Sequence, residues 1–253
     1  MARVIAVSNQ KGGVGKTTTT CSVAAGLKKR GFRVLAIDLD PQGNLGFSVG
    51  ADTTISASIY DVLKGEVKIQ YAIQRLKAMD VIISSILLSG IDLEYTSTGR
   101  EYLLREALAP VQDFYDYILI DTPPALGILT INAFTASDYI IVPMLPDIFS
   151  LQGIAQLYET VVRVQKYCNN TLSIAGILLT KYNPKTHLGR EVRGTAELIA
   201  EDLHIRVFDA FIRSSVVAGE AQSVQKSLFD YAPHATVTRD YEKFIDELLA
   251  KGV

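Results

Sequence analysis

The chain has no tryptophan, only two cysteines and three histidines in 253 residues, and no prevailing charge: 25 Lys and Arg stand against 27 Asp and Glu, a formal net of −2. Cys21 and Cys168 lie far apart, without metal-ligand spacing and without a disulfide framework, which points to reduced thiols in a cytosolic protein. A near-neutral balance excludes a global basic field, so any nucleic-acid surface has to be a local patch. No apolar run approaches the roughly 18 residues of a membrane span. No signal peptide is expected, because Val4 already belongs to an apolar run that reads as core. No repeat, low-complexity segment or linker interrupts the chain. The 48% apolar and 21% charged residues match a globular domain, and the length suits one large core, so residues 1–253 are read as a single domain.

What is present is an alternation of apolar runs with amphipathic stretches. Strands are expected at Val4–Ser8, Arg33–Asp38, Asp80–Ser84, Tyr117–Asp121, Tyr139–Pro143, Ile174–Thr180 and Val207–Phe211. Several are unbroken Ile/Val/Leu runs, the pattern of strands covered on both faces in a mostly parallel sheet. Helices are expected at Thr17–Lys29, about Thr98–Leu108, Leu126–Thr135, Leu151–Tyr167, Leu188–Ala200 and Thr238–Lys251. The alternation predicts an α/β fold with one doubly wound, mostly parallel sheet and helices on both faces. The least regular stretch, Pro41–Ser58, is rich in Gly, Ser, Thr and Asp and is long enough to be functional.

Residues 9 to 17 read Asn-Gln-Lys-Gly-Gly-Val-Gly-Lys-Thr, between the first strand and the first helix. Glycines let backbone N–H groups turn inward onto phosphates, and the helix N-terminus adds partial positive charge. Gly12, Gly13, Val14, Gly15, Lys16, Thr17 and Thr18 are therefore candidates for holding a nucleotide, with Lys16 on the β- and γ-phosphates and Thr17 on Mg²⁺. The usual phosphate-loop pattern has Gly where this chain has Gln10, and an extra lysine, Lys11, precedes the glycine pair.

Two acidic motifs fall on the same sheet edge, where α/β proteins bind ligands. Asp38-Leu-Asp-Pro-Gln-Gly-Asn44 ends the second strand, and Ile120-Asp-Thr-Pro-Pro124 ends the fourth. Asp121 is placed to hold Mg²⁺ through water. Asp38 and Asp40 lie two apart and share a face of extended backbone. Either could be a turn cap; beside the phosphate loop, Asp40 is the favoured group to orient or deprotonate an attacking water.

Lys11-Gly-Gly-Val-Gly-Lys-Thr17, Asp38-Leu-Asp-Pro-Gln-Gly-Asn44 and Ile120-Asp-Thr-Pro-Pro124 resemble the deviant-Walker partition ATPases of the ParA/Soj family, with MinD as a relative. The resemblance runs from residue 3 to about 250. It implies that ATP and Mg²⁺ join two monomers face to face, with Lys11 of each reaching the other's phosphates as a catalytic group beside Lys16 and Asp40. The dimer would bind DNA without sequence preference, placing the protein on the nucleoid in the cytoplasm. A ParB-type partner would speed slow hydrolysis. The chain starts almost at the first strand, so an N-terminal helix-turn-helix domain is not expected.

The resemblance also places Thr180 and Arg213 near adenine, within Thr180-Lys-Tyr-Asn183 and Phe211-Ile-Arg213. It assigns DNA contacts to the C-terminal third, where Lys185, Arg190, Arg193 and Arg213 are the candidates. Departures occur there: Ile212 stands for the family's proline, Val217 for a second arginine, and Gly219-Glu-Ala-Gln222 for Ser-Glu-Ala-Pro. Between Lys181 and Arg213 six Lys/Arg meet five acids, and Arg193 with Glu197 has the spacing of an ordinary helix pair. A MinD-like membrane ATPase is the alternative, yet the tail from Arg239 carries three basic and four acidic residues, which suits a helix docked on the core and no membrane partner. A redox ATPase like the nitrogenase iron protein would need cysteines near a dimer axis. A ligase or synthetase would need a substrate pocket.

Overall fold

Seven strands form one sheet in the order β3-β4-β2-β5-β1-β6-β7. They are β1 (Arg3–Val7), β2 (Val34–Asp38), β3 (Gln74–Arg75), β4 (Asp80–Ile82), β5 (Tyr117–Asp121), β6 (Tyr139–Met144) and β7 (Ser173–Leu179). The coordinates are a computed structural model that describes residues 1–54, 57–94 and 98–253. Every pairing is parallel except β3 with β4. Successive residues of the central strands feed opposite cores. Val4, Ala6, Leu35, Ile37, Ile118 and Ile120 pack on one face. Ile5, Val7, Val34, Ala36, Tyr117 and Leu119 pack on the other. A sheet apolar on both faces has to be covered twice, which is why its strands read as unbroken apolar runs.

The helices Ile128–Ala136, Ile148–Tyr167 and His187–Asp202 contribute to the first core. The helices Lys16–Lys29 and Thr236–Ala250 contribute to the second. These last two approach closely at Gly26, where an added Cβ would collide with Ile245 and Phe229. Tyr241, Phe244, Ile245 and Leu248 are fully buried, so the apolar face of the C-terminal helix is occupied by the core, as its weak acidic balance suggests. Among the described residues no helix is long and apolar enough to cross a membrane.

The expected α/β architecture holds, with three local differences. Val207–Phe211 is not a strand: only single bridges join Val207 to Ile177 and Ile212 to Thr180. The carboxylate of Glu247 takes the N–H groups of Asp209 and Ala210 at 3.1 and 2.8 Å, so those groups are not available to a ladder. The helix expected from about Thr98 begins as a 3₁₀ turn, Arg100–Tyr102, and is α-helical only over Leu103–Leu108. Pro41–Ser58 contains a short helix, Asn44–Val49, bracketed by Gly43 and Gly50 in the left-handed region. Residues 55–56 of that stretch, and 95–97 before the 3₁₀ turn, lie outside the described residues.

Candidate functional site

β1, β2 and β5 end side by side, with Val7 in register with Asp121 and Asp38 also opposite Asp121. Parallel pairing therefore delivers the loop after Val7 and two aspartates to one sheet edge. Gly13 and Gly15 take positive φ values of 72° and 91°, which side chains rarely adopt. Gly15 starts the Lys16–Lys29 helix. Nothing lies within 4 Å of a Cβ added at Gly12 or Gly13, so the inner lip of the loop is open. The cavity it frames has a volume of about 640 Å³ and is lined by Gly12, Gly13, Gly15, Lys16, Thr17, Thr18 and Asp40, and by Lys181 and Gln222 across from them. Val14 is wholly buried and does not line it.

The charges are tightly grouped. The Thr17 hydroxyl donates to Asp121 Oδ2 at 2.6 Å. Burial, together with the neighbouring Asp38, raises the Asp121 carboxyl well above the usual range, against the opposing effects of Thr17 and Lys16. Lys16 Nζ donates to the Lys11 carbonyl at 3.3 Å, so the ammonium lies against the phosphate loop. Burial lowers the Lys16 pKa, while Asp121 and Asp40 oppose that shift.

Asp38 and Asp40 differ sharply in surroundings. Asp38 is fully buried and accepts the N–H groups of Asp40, Leu45 and Gly46 at 3.1, 3.0 and 3.2 Å. It holds the turn and the start of the Asn44–Val49 helix. Asp40 is half-buried and lines the cavity, its Oδ1 accepting the Gln42 N–H at 3.1 Å.

Lys11 is tied to its own chain: Nζ pairs with Asp147 Oδ2 at 2.6 Å, and its N–H donates to Asn9 Oδ1 at 3.0 Å. Thr180 is buried and its hydroxyl donates to the Val14 carbonyl at 2.7 Å, bracing the loop. Several cavity residues were missed by sequence reasoning, and two of them bond to the phosphate loop or the helix after it. Lys181, left-handed at φ 50°, donates from Nζ to the Gly13 carbonyl at 3.2 Å. Gln222 donates to the Thr18 hydroxyl at 3.2 Å. Lys181 follows Thr180 in a segment singled out from sequence, but nothing in the spacing shows its side chain turning back onto the loop.

The four basic candidates of the C-terminal third do not form one free patch. Lys185 and Arg190 are together, Arg190 donating to the Lys185 carbonyl at 2.9 Å. Arg193 pairs with Glu197 at 2.7 Å and Asp209 at 3.7 Å. Arg213 forks onto Asp240, which is 4% exposed, donating from Nε at 2.9 Å and from a terminal nitrogen. Arg213 is not among the residues lining the cavity.

A parallel sheet carrying a glycine-rich loop, an invading lysine and a Thr–Asp pair at one edge defines a phosphate-loop nucleotide-binding protein of the deviant type. Comparison with known proteins places it further. Residues 2–174 match the family model described as an AAA domain. Over 256 residues, covering all of both chains, the sequence is 39% identical to the sporulation initiation inhibitor protein Soj of Bacillus subtilis. It is 38% identical over 255 residues to the chromosome partitioning protein ParA of Caulobacter vibrioides, covering 98% of this chain and 94% of that one. The cobyrinic acid a,c-diamide synthase of Mycobacterium smegmatis, solved with a bound ATP analog and magnesium, superposes with a TM-score of 0.86 at 35% identity, covering 98% and 94% of the two chains. The chain belongs to the ParA/Soj family of deviant-Walker partition ATPases.

Proposed function

We propose that the chain is an ATP-dependent DNA partition ATPase. It binds ATP and Mg²⁺ at the loop of residues 9–18, dimerises on ATP and holds DNA without sequence preference. It hydrolyses ATP slowly to ADP and phosphate under control of a ParB-type partner, working on the nucleoid. The observation that carries the reading is the convergence of Thr17 with a fully buried Asp121 at 2.6 Å beside the open glycine loop and Lys16.

The residues fit the nucleotide and the metal. Asp121 and Asp38 place two carboxyls in the interior, and Asp121 is raised well above its usual range. Two neighbouring buried carboxyls ionise together only where a nearby cation offsets their repulsion. Thr17 would ligate Mg²⁺ directly and Asp121 would hold it through water, and the ion would supply neutralising charge to a bound triphosphate. Lys16 supplies point charge to its β- and γ-phosphates. The backbone N–H groups from Gly12 to Thr18 supply a fixed field that needs no rearrangement. Asp40, lining the cavity, orients or deprotonates the attacking water.

Lys11 acts on the partner's phosphates, so dimerisation reads the presence of the γ-phosphate. Lys185 and Arg190 supply the DNA contacts, doubled in the dimer. The C-terminal helix disfavours a MinD-like membrane role, because Tyr241, Phe244, Ile245 and Leu248 are buried.

The Mycobacterium synthase suggests a second use of the fold, amide formation. Such a reaction needs an acceptor pocket beside the phosphates. Among the described residues another large cavity, about 780 Å³, is lined by Arg33, Val34 and Asp80 where β2 and β4 begin, at the sheet edge opposite the phosphate loop. A mobility assay with random-sequence DNA, run beside phosphate release, tests the partition reading. DNA retention with ATP and its loss with ADP are expected. Phosphate release without DNA retention at low salt would remove the partition role.

A further inference from the structure

Lys11 is held from two sides, by Asp147 in the turn that follows β6 and by Asn9, which is itself fixed to β6. Its ammonium pairs with Asp147 at 2.6 Å, with side-chain exposures of 34% and 31%. Its N–H donates to Asn9 Oδ1 at 3.0 Å, and Asn9 Nδ2 donates to the Pro143 carbonyl at 2.7 Å. Asp147 also caps a helix, because its Oδ1 accepts the Ser150 N–H at 2.9 Å at the start of Ile148–Tyr167. One oxygen therefore anchors a helix while the other holds the lysine. The carboxylate is fixed in place, and Lys11 is held against its own chain.

We propose that Asp147 is a positioning residue that restrains Lys11 in the monomer, and that this pair must open before Lys11 reaches another subunit's phosphates. The proposal rests on the trans role assigned to Lys11 above. A nucleotide triphosphate carries several negative charges and competes for the ammonium better than one carboxylate does. A partner presenting a diphosphate has less to offer. The threshold for ATP-driven dimerisation is then set partly by Asp147, while the γ-phosphate itself remains necessary for dimers to form.

The helix cap makes a clean variant available. Asp147→Asn removes the charge that holds Lys11 and keeps a side-chain oxygen for the Ser150 N–H, since Asn and Asp cap about equally well. Asp147→Glu keeps the charge. Dimerisation is followed by sedimentation velocity across protein concentrations with saturating ATP, and separately with ADP, for both variants and the unaltered protein.

With ATP, the Asp147→Asn protein should reach half-dimer at a protein concentration about tenfold lower, because two partly exposed ion pairs per dimer no longer oppose it. Asp147→Glu should stay near the unaltered protein, and Asp147→Asn should remain monomeric with ADP. An equal or higher midpoint for Asp147→Asn, with normal ATP-driven dimerisation of the unaltered protein, overturns the restraint and leaves the partition reading standing. Absence of ATP-driven dimers in the unaltered protein removes both. An equal melting temperature for the two proteins shows that the shift does not come from a lost cap.

Discussion

The phosphate edge and the basic face of the C-terminal third differ in how their charges are disposed. At the edge, Lys16, Thr17 and Asp40 line one cavity, the buried Asp121 accepts from Thr17, and Asp38 braces the turn that carries Asp40. On the basic face, Arg193 and Arg213 are neutralised by Glu197, Asp209 and Asp240, which leaves Lys185 and Arg190 as the neighbouring pair. A site built for one compact ligand has its geometry dictated by strand register. A surface for a long polyanion depends on which cations are left over after folding. Counting basic residues overstates the second and would understate the first.

The largest expected effect separates the two regions outright. Lys16→Ala should weaken ATP binding by about 100-fold or more, since a desolvated phosphate contact is lost. Calorimetry showing near-normal affinity would remove the nucleotide assignment. Within the same edge, Asp40→Ala should bind ATP yet hydrolyse it about 100-fold more slowly, and ATP-bound dimers should accumulate. Retained turnover would move the water-positioning role elsewhere. Lys11→Ala should bind ATP as a monomer and fail to dimerise. Dimerisation like that of the unaltered protein would confine Lys11 to its own subunit.

The basic face calls for a paired test. Reversing Lys185 and Arg190 together to Glu should abolish DNA retention with ATP and leave the melting temperature nearly unchanged, because both lie on the surface. Replacing the residues one at a time by Ala should flatten the dependence of log affinity on log salt by about one unit per phosphate contact. Arg213→Ala should instead cost about 1–3 kcal/mol of stability, because it strands the buried Asp240 carboxylate, with the figure held down by the half-exposed arginine. Loss of DNA binding in Arg213→Ala without loss of stability would make Arg213 a DNA contact after all.

The smallest effect concerns pH. Burial pushes the Asp38 carboxyl up to about 7, although the N–H groups of Gly46, Asp40 and Leu45 pull against it. A folded-state value above the unfolded one means that the fold binds the proton more tightly. The associated stabilisation is complete below the ordinary carboxylate range and is lost as pH rises through about 7. Melting curves of the nucleotide-free protein should show Asp38→Asn flattening the loss of stability between about pH 4 and pH 7. An unchanged slope would place the cost of that edge on another group.

Much of the edge was legible in the sequence because its parts are local. A glycine loop, a strand end and a following Thr are fixed by spacing, and parallel strands carry their C-terminal ends to one side. The unbroken runs at Tyr117–Asp121 and at residues 140–142 reported both-face burial for the same reason. What was illegible depends on partners distant in the chain. Glu247 diverts Val207–Phe211 from strand pairing, Asp240 claims Arg213, and Asp147 claims Lys11. Lys181 reaches the loop only through a left-handed backbone that no residue pattern announces. Short-range chemistry survives in the sequence, whereas the pairing state of a charge is a property of the fold.

Under the proposed function, the phosphate edge would convert the γ-phosphate into an assembly signal. Light scattering coupled to size-exclusion chromatography tests it directly, on the unaltered protein with ATP and Mg²⁺, with ADP and Mg²⁺, and with no nucleotide. A dimer mass is expected with ATP alone and a monomer mass in the other two conditions. A single mass in all three, whether monomer or dimer, would contradict it.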